Sequence, residues 1–558
     1  MAGISHIFNI ARSGIQAHQQ GLATTSHNIS NINTKGFSRQ EVVLETNRPA
    51  QGVIGSGVQV AHVRRTVDTF IENQLTAGNE DLGFISSRTT FLSQADGIVT
   101  ETENAGLSHG ITEFFNALRD VATNPESPIQ RTVVLAKAQT LAQVFVDHAS
   151  AFNQIRLDAN QEIRRHVETI NGLAGRVASL NDEIFKAESS GREAPDLRDQ
   201  RAVLINDIAE LVDIEQVQLR DGIGINVGGQ LLVGGNHANA LATIPDADNP
   251  PFEDVAFVRS DGNAFAISHK IQGGKIGGLL VARDTDVVAF QDRLDRTAAV
   301  LVNELNQQHS VGYGLDDSTG QLFFSALSPQ APLADDQNTG TAIGTSVAIT
   351  PVTGPPLQTF QSYDVQFTGA ATFDVVNIDT GTTVISGGAY VSGASFNFDG
   401  LDVVLTGTPA AGDVFHLGAH KGAAQRFGLA ITDTNRIAAA SQPSTALTGP
   451  KVPGDNTNGL ALVGIHTSRL ASLGNLTLND YHTITIGDVG SAARESKLTL
   501  NAVTLEVDQL HSLRESVSGV SLDEELTNLL SFQRSFEASA RMITVADELF
   551  QTVLSMGR

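Results

Sequence analysis

The residues able to do chemistry in this chain are histidines, paired carboxylates and glycine-rich turns. Their spacing argues against each reaction they would serve. The chain has 15 histidines, but no His-Glu-x-x-His pair occurs, so the helical zinc arrangement of two imidazoles one turn apart is absent. His148 and His166 fall on the seam of a long periodic segment, where packing rather than metal binding is expected. Gly222-Ile223-Gly224 lacks the rest of a dinucleotide fingerprint, and no Walker A string occurs. Asp316 and Asp317 sit between Gly312 and Gly320 without calcium-loop spacing, so a turn is expected there. Glu524-Glu525 and Asp547-Glu548 are adjacent pairs, and adjacent side chains on a helix diverge. Solvated or inter-subunit charge is expected of both pairs. The reading is therefore a protein that is not an enzyme, with no cofactor and no metal, and its information lies in its elements.

Those elements begin at the two ends. Ile4, Phe8, Ala11, Ile15, His18, Leu22, Thr25 and Ile29 alternate in steps of four and three, a heptad seam on one side of a helix. Leu522, Leu526, Leu529, Gln533, Phe536, Ala540, Ile543, Asp547, Phe550 and Leu554 follow the same alternation, with Leu530, Phe532, Leu549 and Val553 widening the apolar face. Two helices of one period at opposite ends of the chain are natural partners for each other or for copies in neighbouring subunits. Ser521 is expected to cap the second helix, with Glu524 completing a capping box. Ser518-Gly519-Val520-Ser521 separates it from the helix before.

After the first seam comes Asn28-Ile29-Ser30-Asn31-Ile32-Asn33-Thr34-Lys35-Gly36-Phe37-Ser38. Asn and Ser compete for helix hydrogen bonds and Gly36 can take positive φ, so the helix should stop and reverse here. The string resembles the N-terminal signature of the bacterial flagellar axial proteins, the rod, hook and hook-associated subunits, with Ser30 where Ala is usual. Gly55-Ser56-Gly57-Val58-Gln59-Val60, followed by Arg64, Arg65 and Asp68, and the run from Leu529 to Ala540 add to the likeness. Ala194 to Arg201, Leu301 to Asn306 and Gly312 to Asp316 are similar to the hook-associated protein 1 (FlgK) family rather than to rod or hook subunits.

The resemblance implies a structural subunit in a ring or short helical layer of its own copies, joining hook to filament. Its implied partners are the hook protein, a second junction protein (hook-associated protein 3) and a cytoplasmic export chaperone bound near the C-terminus. It also implies an extracellular place in the flagellum after export through the flagellar type III apparatus, with an uncleaved signal. Phe8, Ile15, Leu22 and Ile29, with Ile4 before them, and Leu526, Leu529, Phe536, Ile543 and Phe550 are the candidate inter-subunit contacts. Asn28, Asn31, Thr34, Gly36 and Phe37 form the signature turn, with Gly36 and Phe37 fixing it at the tube wall.

Composition agrees. The chain carries 36 basic and 61 acidic residues, a formal charge of −25, which argues against nucleic acid or an anionic membrane as partner. Met1 to Gln40 contain no Asp or Glu, and only Arg12, Lys35 and Arg39 as fixed charges, so this segment can pack densely against copies of itself. There is no cysteine, which excludes disulfides and suits a chain exported unfolded. No apolar run reaches membrane-spanning length, and Met1 to Ile10 lack the basic region of a Sec signal.

Between the ends, Glu41 to Leu44, Gly52 to Gly57 and Val58 to Val63 read as short strands around turns. A helix follows from Val67 towards Glu103, and another from Ile111 to Ala122, stopped by Asn124-Pro125. From Pro128 to Ile184 the period holds, with a stutter at Ile155, Ala159 and Ile163, predicting a rod on the order of 80 Å at ~1.5 Å per residue. Gly172 and Gly175 are expected to mark a bend. Further helices are predicted from Ala194 to Leu211, Asp284 to His309, Asn458 to Leu473 and Ser491 to Val517, with short strands from Ile214 to His269.

The expected fold is mixed and mainly α: an elongated nested multidomain protein with a coiled-coil-like layer of terminal helices, a long helix-bundle domain and an inserted antiparallel β domain. Residues 1–70 with 518–558 form the terminal domain, 71–343 with 418–517 the helical domain, and 344–417 the β domain. The narrow terminal seams are expected to be poorly ordered until assembly buries them. An adhesin or glycan-binding protein acting through the β domain, or another axial subunit, is the alternative reading.

Overall fold

The computed structural model describes residues 2–47, 55–101, 105–189, 191, 193–246, 249–259, 261–335, 337–349 and 360–556, with side chains from residue 5 onward. The side chain of the expected seam residue Ile4, the first half of the expected Gly52 to Gly57 strand and the approach to Glu103 lie outside that description.

Helix α1 (Ala2–Ser30) leads into an antiparallel hairpin of β1 (Gln40–Thr46) and β2 (Val58–Arg65), with Gln40 opposite Arg65. Helix α2 (Thr69–Val99) starts where the Asp68 carboxylate accepts from the Phe70 N–H at 2.8 Å. After α3 (Leu107–Thr123), Ser127 caps α4 (Pro128–Glu188), whose 61 residues span roughly 90 Å at ~1.5 Å per residue. Helix α4 keeps its helical backbone through Gly172 and Gly175, where a bend was expected. Both glycines face open space, where a missing side chain leaves no void to close. His148 ties α4 to α2 through its ring contact with the Ile98 carbonyl at 3.1 Å.

Helix α5 (Pro195–Leu211) returns along α4 and opens into two antiparallel sheets. One takes β3 (Glu215–Leu219), β4 (Gly222–Val227), β5 (Gln230–Gly234) and β6 (His237–Ala238) in chain order. The other takes β7 (Ala240–Pro245), β8 (Glu253–Val258) and β9 (Ala264–Ala266). Helix α6 (Gly274–Val281) passes through a π turn into α7 (Val287–Ser310), so this helical run begins ahead of the expected Asp284. Its start is hidden by three glycines, of which Gly278 lies where a Cβ would meet the Phe84 carbonyl at 2.2 Å.

The inserted sheets follow. A five-stranded sheet is ordered β10 (Leu333–Ala334), β17 (Val414–Gly418), β12 (Ser362–Gly369), β13 (Thr372–Asn377) and β14 (Thr382–Ala389). A three-stranded sheet pairs β11 (Ile343–Ile349), β16 (Leu401–Thr406) and β15 (Ser395–Phe398). Pairing thus begins at Leu333, before the expected Gly344. Tyr363, Val365 and Phe367 alternate inward along β12, and Phe373, Phe398 and Phe415 meet them.

The chain then returns to helix. The segment expected from Asn458 to Leu473 is α8 (Thr457–Gly464) and two short 3₁₀ turns. Helix α9 (Leu478–Ser518) starts at a Thr477 cap rather than near Ser491, because Gly487 and Gly490 interrupt its apolar period without breaking its backbone. It packs on α2, and α10 (Leu522–Met556) packs on α1, so the chain is nested from its ends inward.

The aromatic centre of the shaft lies between α3 and the segment after α7. Phe114 has Phe115, Phe323 and Phe324 around it at 5.3, 5.6 and 5.7 Å between ring centroids. Phe145 of α4 stacks on Phe427 at 4.6 Å. The exit of β17 is fastened to α7, where the Asp295 carboxylate accepts the N–H groups of Gly422 and Ala424 at 2.7 and 2.8 Å.

Candidate assembly interface

Among the described residues, no group of three or more His, Cys, Asp or Glu is placed to hold a metal ion. No described helix is long and apolar enough to cross a membrane. The distinctive surface is the terminal helix pair.

The buried face of α1 consists of Ala11, Gly14, Ala17, Gly21, Thr24, Thr25 and Asn28, and α10 buries Glu525, Ser539 and Ala546. On α1 they recur every three or four positions, with Thr25 beside Thr24, and on α10 they fall at multiples of seven, intervals that keep side chains on one helical face. Small residues are required for the close approach: a Cβ on Gly14 would lie 2.8 Å from Ser539 Oγ, and one on Gly21 would lie 2.7 Å from the Phe532 ring. The helices therefore meet through the small residues of α1, with Ser539 over Gly14 and the Phe532 ring over Gly21, rather than through the large apolar seam.

Of the expected contact residues, Ile15, Leu22, Ile29, Leu529, Phe536 and Ile543 are half-buried at the margins of the pair, whereas Phe8, Leu526 and Phe550 are exposed. Leu530 and Val545 are 52% and 53% exposed. The one-chain pair thus satisfies its small residues and leaves most of its large ones outside. The sequence signal for the inner face was present as Ala and Gly at helical spacing, but it carries little hydrophobic weight beside Phe, Ile and Leu.

The signature turn closes on itself first. The Asn31 and Thr34 N–H groups donate to the carbonyls of His27 and Asn31, and Phe37 N–H donates to Thr34 O at 3.1 Å. Thr34 Oγ1 donates to Asn31 Oδ1 at 3.1 Å, and the Phe37 ring meets His27 edge-on at 5.5 Å. Gly36 has φ +80°, and a Cβ there would strike Val203 of α5 at 2.2 Å, so both conformation and space require glycine. The turn is thereby seated on the shaft.

Asn28, 1% exposed, is the internal bracket. Its Nδ2 donates to Gln40 O and to Glu525 Oε2 at 2.9 and 3.1 Å, while its Oδ1 accepts from Gln40 N–H at 3.0 Å. Both N–H donors and the oxygen of the amide are engaged, which offsets the cost of its burial. Arg39 completes the clasp, donating to Glu525 Oε1 at 2.8 Å and to Glu524 Oε2 at 2.7 Å.

This corrects the expectation of solvated or inter-subunit charge for Glu525, while Glu524 remains exposed. Glu525 is 2% exposed and neutralised within the chain, because the turn brings Arg39 to the first turn of α10. Glu524, the expected capping-box partner of Ser521, reaches the same guanidinium, while the Ser521 carbonyl accepts the Glu525 N–H at 2.9 Å. Asp547 and Glu548 remain exposed. Arg39 and Glu525 were not paired from sequence, since 486 positions separate them.

Three family models match the chain. Residues 92–324 match the flagellar hook-associated protein FlgK helical domain. Residues 8–37 match the flagella basal body rod protein model, and 514–556 the flagellar basal body rod FlgEFG protein C-terminal model. Flagellar hook-associated protein 1 of Escherichia coli (strain K12) is 30% identical, covering 99% of this chain and 100% of that protein. The protein of the same name from Bacillus subtilis (strain 168) is 27% identical, covering 98% and 97%. The solved flagellar hook junction protein FlgK from Burkholderia pseudomallei shares the fold, with a TM-score of 0.68 at 23% identity over 80% of this chain and all of that one.

Proposed function

This chain belongs to the flagellar hook-associated protein 1 (FlgK) family, and from that premise we propose how it works as a structural subunit of the extracellular flagellum at the hook–filament junction. The observation that supports the mechanism is the inversion at the terminal pair. Small residues close α1 on α10 within one chain, and Phe8, Leu526, Leu530 and Phe550 stay outside. Copies of the chain packed side by side bury these residues against one another, so that polymerisation and completion of the apolar layer are one event. A heterologous contact, in which one face of a copy meets a different face of the next, closes such copies into a ring or tube.

Residues 1–70 with 518–558 serve as the assembly unit, 71–343 with 418–517 as the shaft, and 344–417 as the body of the inserted β unit, with β10 extending its sheet. Ile15, Leu22, Ile29, Leu529, Phe536 and Ile543 line the margins that neighbours complete, and Ile4 is assigned to the same surface from its spacing alone. The layer contacts hook protein on one side and the second junction protein, hook-associated protein 3, on the other. Before assembly the exposed α10 face is covered by an export chaperone, and the chain leaves through the flagellar type III apparatus. Loss of chaperone binding on removal of Leu522 to Arg558 tests that step.

The experiment that tests the role is electron microscopy of cells lacking this chain, with flagellin measured in the medium. Bare hooks with free secreted flagellin are expected. Normal filaments would overturn the reading, and missing hooks would move the chain to another axial layer.

A further inference from the structure

Three consecutive residues at the root of the terminal pair bind in different directions. The Ser38 N–H donates to Asp199 Oδ2 of α5 at 2.8 Å. Arg39 turns to Glu524 and Glu525 of α10. Gln40 donates through Nε2 to Asp196 Oδ1 of α5 at 2.6 Å, while its backbone is held by Asn28 of α1. The far end of the hairpin returns to the same place: Arg65, opposite Gln40 in the β1–β2 ladder, donates through Nη1 to Asp199 Oδ1 at 2.7 Å. One carboxylate of the shaft thus grips both ends of the segment that leaves it. Arg514 of α9 braces this grip, donating to Gly36 O at 2.9 Å and to Glu72 Oε1 at 2.8 Å.

We propose that Asp199 is the shaft-side positioning residue of the junction, which with Glu525 on the terminal side fixes the direction in which the α1–α10 pair leaves the shaft. This rests on the junction reading above. A layer of like subunits closes only if every copy sets the same angle between its assembly unit and its shaft. A two-oxygen grip on the two hairpin ends fixes that angle in a way one point contact cannot.

The placement of Asp199 suits this role. It is 5% exposed, and its hydrogen bonds among the described residues come from Ser38 and Arg65, both in the joint. Its neighbour two positions on serves the shaft instead, since Arg201 donates to the buried Asn181 Oδ1 at 2.8 Å. Removing the Asp199 carboxylate therefore loosens the joint and leaves the shaft, whereas removing Arg201 damages the shaft.

The test uses full-length Asp199→Asn and Asp199→Ala chains, produced in cells lacking the natural one, with Arg201→Ala as the shaft control. Three quantities are read: filaments retained on hooks after graded shear, the melting temperature of the purified chain, and the order of the shaft relative to the terminal helices in averaged images of the junction. The expected result is about tenfold fewer retained filaments, corresponding to a loss of ~1.4 kcal/mol at the joint, with melting unchanged and the shaft density blurred against an ordered terminal layer. Retention equal to the natural chain, or a melting temperature lowered as far as in Arg201→Ala, would overturn the proposal. If the strain without the chain carries normal filaments, the junction reading itself fails. If that strain has bare hooks while Asp199→Asn behaves like the natural chain, only the positioning role fails.

Discussion

In the shaft the largest side chains are the most deeply buried, whereas in the terminal helix pair the smallest are. Phe114, Phe115, Phe323 and Phe324 have no exposed surface, and their rings contact one another inside a single chain. In the terminal pair Ala11, Gly14, Ala17, Gly21 and Ala546 are buried, while Leu526, Leu530 and Phe550 face outward. The shaft is a finished core. The terminal pair leaves large apolar residues uncovered, and the function proposed above assigns their cover to neighbouring copies.

The sharpest way to break the comparison is inside the finished core. Phe114→Ala removes the ring that three other aromatics surround, and should cost about 3–5 kcal/mol, read as a lowered calorimetric melting temperature. A smaller effect, confined to the other region, is expected of Gly21→Val. Its branched side chain must enter the space of the Phe532 ring, an overpacking of about 1–3 kcal/mol. Faster amide exchange in α1 and α10 with an unchanged shaft transition is the predicted pattern. Equal loosening of both regions would show that they fold as one unit.

The largest carboxyl shifts lie in the shaft. Burial alone would raise the Glu101 carboxyl, but hydrogen bonds from His482 at 3.0 Å and from the Ser108 N–H at 2.8 Å bring it from 4.5 to about 2. Asp455 is likewise held at about 2, where hydrogen bonds from Ser441 and Thr457 overcome its burial. Both folded values lie below the ordinary ones. The unfolded chain therefore takes up protons first, and the stability these groups contribute is lost as pH falls from the ordinary carboxylate range towards 2.

Asp295 runs the other way. Burial pushes it up to about 7 against the two N–H donors that hold it. Its contribution is present below its ordinary value of 3.8 and is lost as pH rises towards 7. Glu101→Gln should flatten the acid limb of a stability–pH curve, and Asp295→Asn the limb above it. A curve unchanged by either substitution would contradict the assignments.

The smallest effect on the single chain is expected where the comparison predicts the largest effect on assembly. Leu526→Ser with Leu530→Ser changes two exposed residues, so melting should move by no more than about 0.5 kcal/mol per site. Filament-bearing hooks should nevertheless become scarce. A melting loss as large as that of Phe114→Ala would mean that the outer face is already packed within one chain.

Long regular elements were legible from sequence because period survives translation into structure. The period from Pro128 to Ile184 became α4, and the segment read as an inserted antiparallel β domain, 344–417, holds most of the inserted sheets. The terminal seam was legible as a pattern but not in its sense: hydrophobic weight pointed to Phe8 and Leu526, while the contact inside one chain runs through glycine and alanine. Helix starts at Gly274 and Leu478 were missed because glycines interrupted the period where close packing excluded a side chain or where it made no difference. The clasp of Asn28, Arg39 and Glu525 and the grip of Asp199 on Ser38 and Arg65 were not legible at all. Each is made by residues far apart in the chain that only the nested fold brings together.

The most direct measurement of the central claim is electron cryomicroscopy of isolated hook–filament junctions at side-chain detail. The account predicts that Phe8, Leu526, Leu530 and Phe550 are buried between neighbouring copies, while Gly14 and Gly21 still face α10 of their own chain. Outward large residues left in solvent within the assembled layer, or small-residue seams opened to make room for a neighbour, would contradict it.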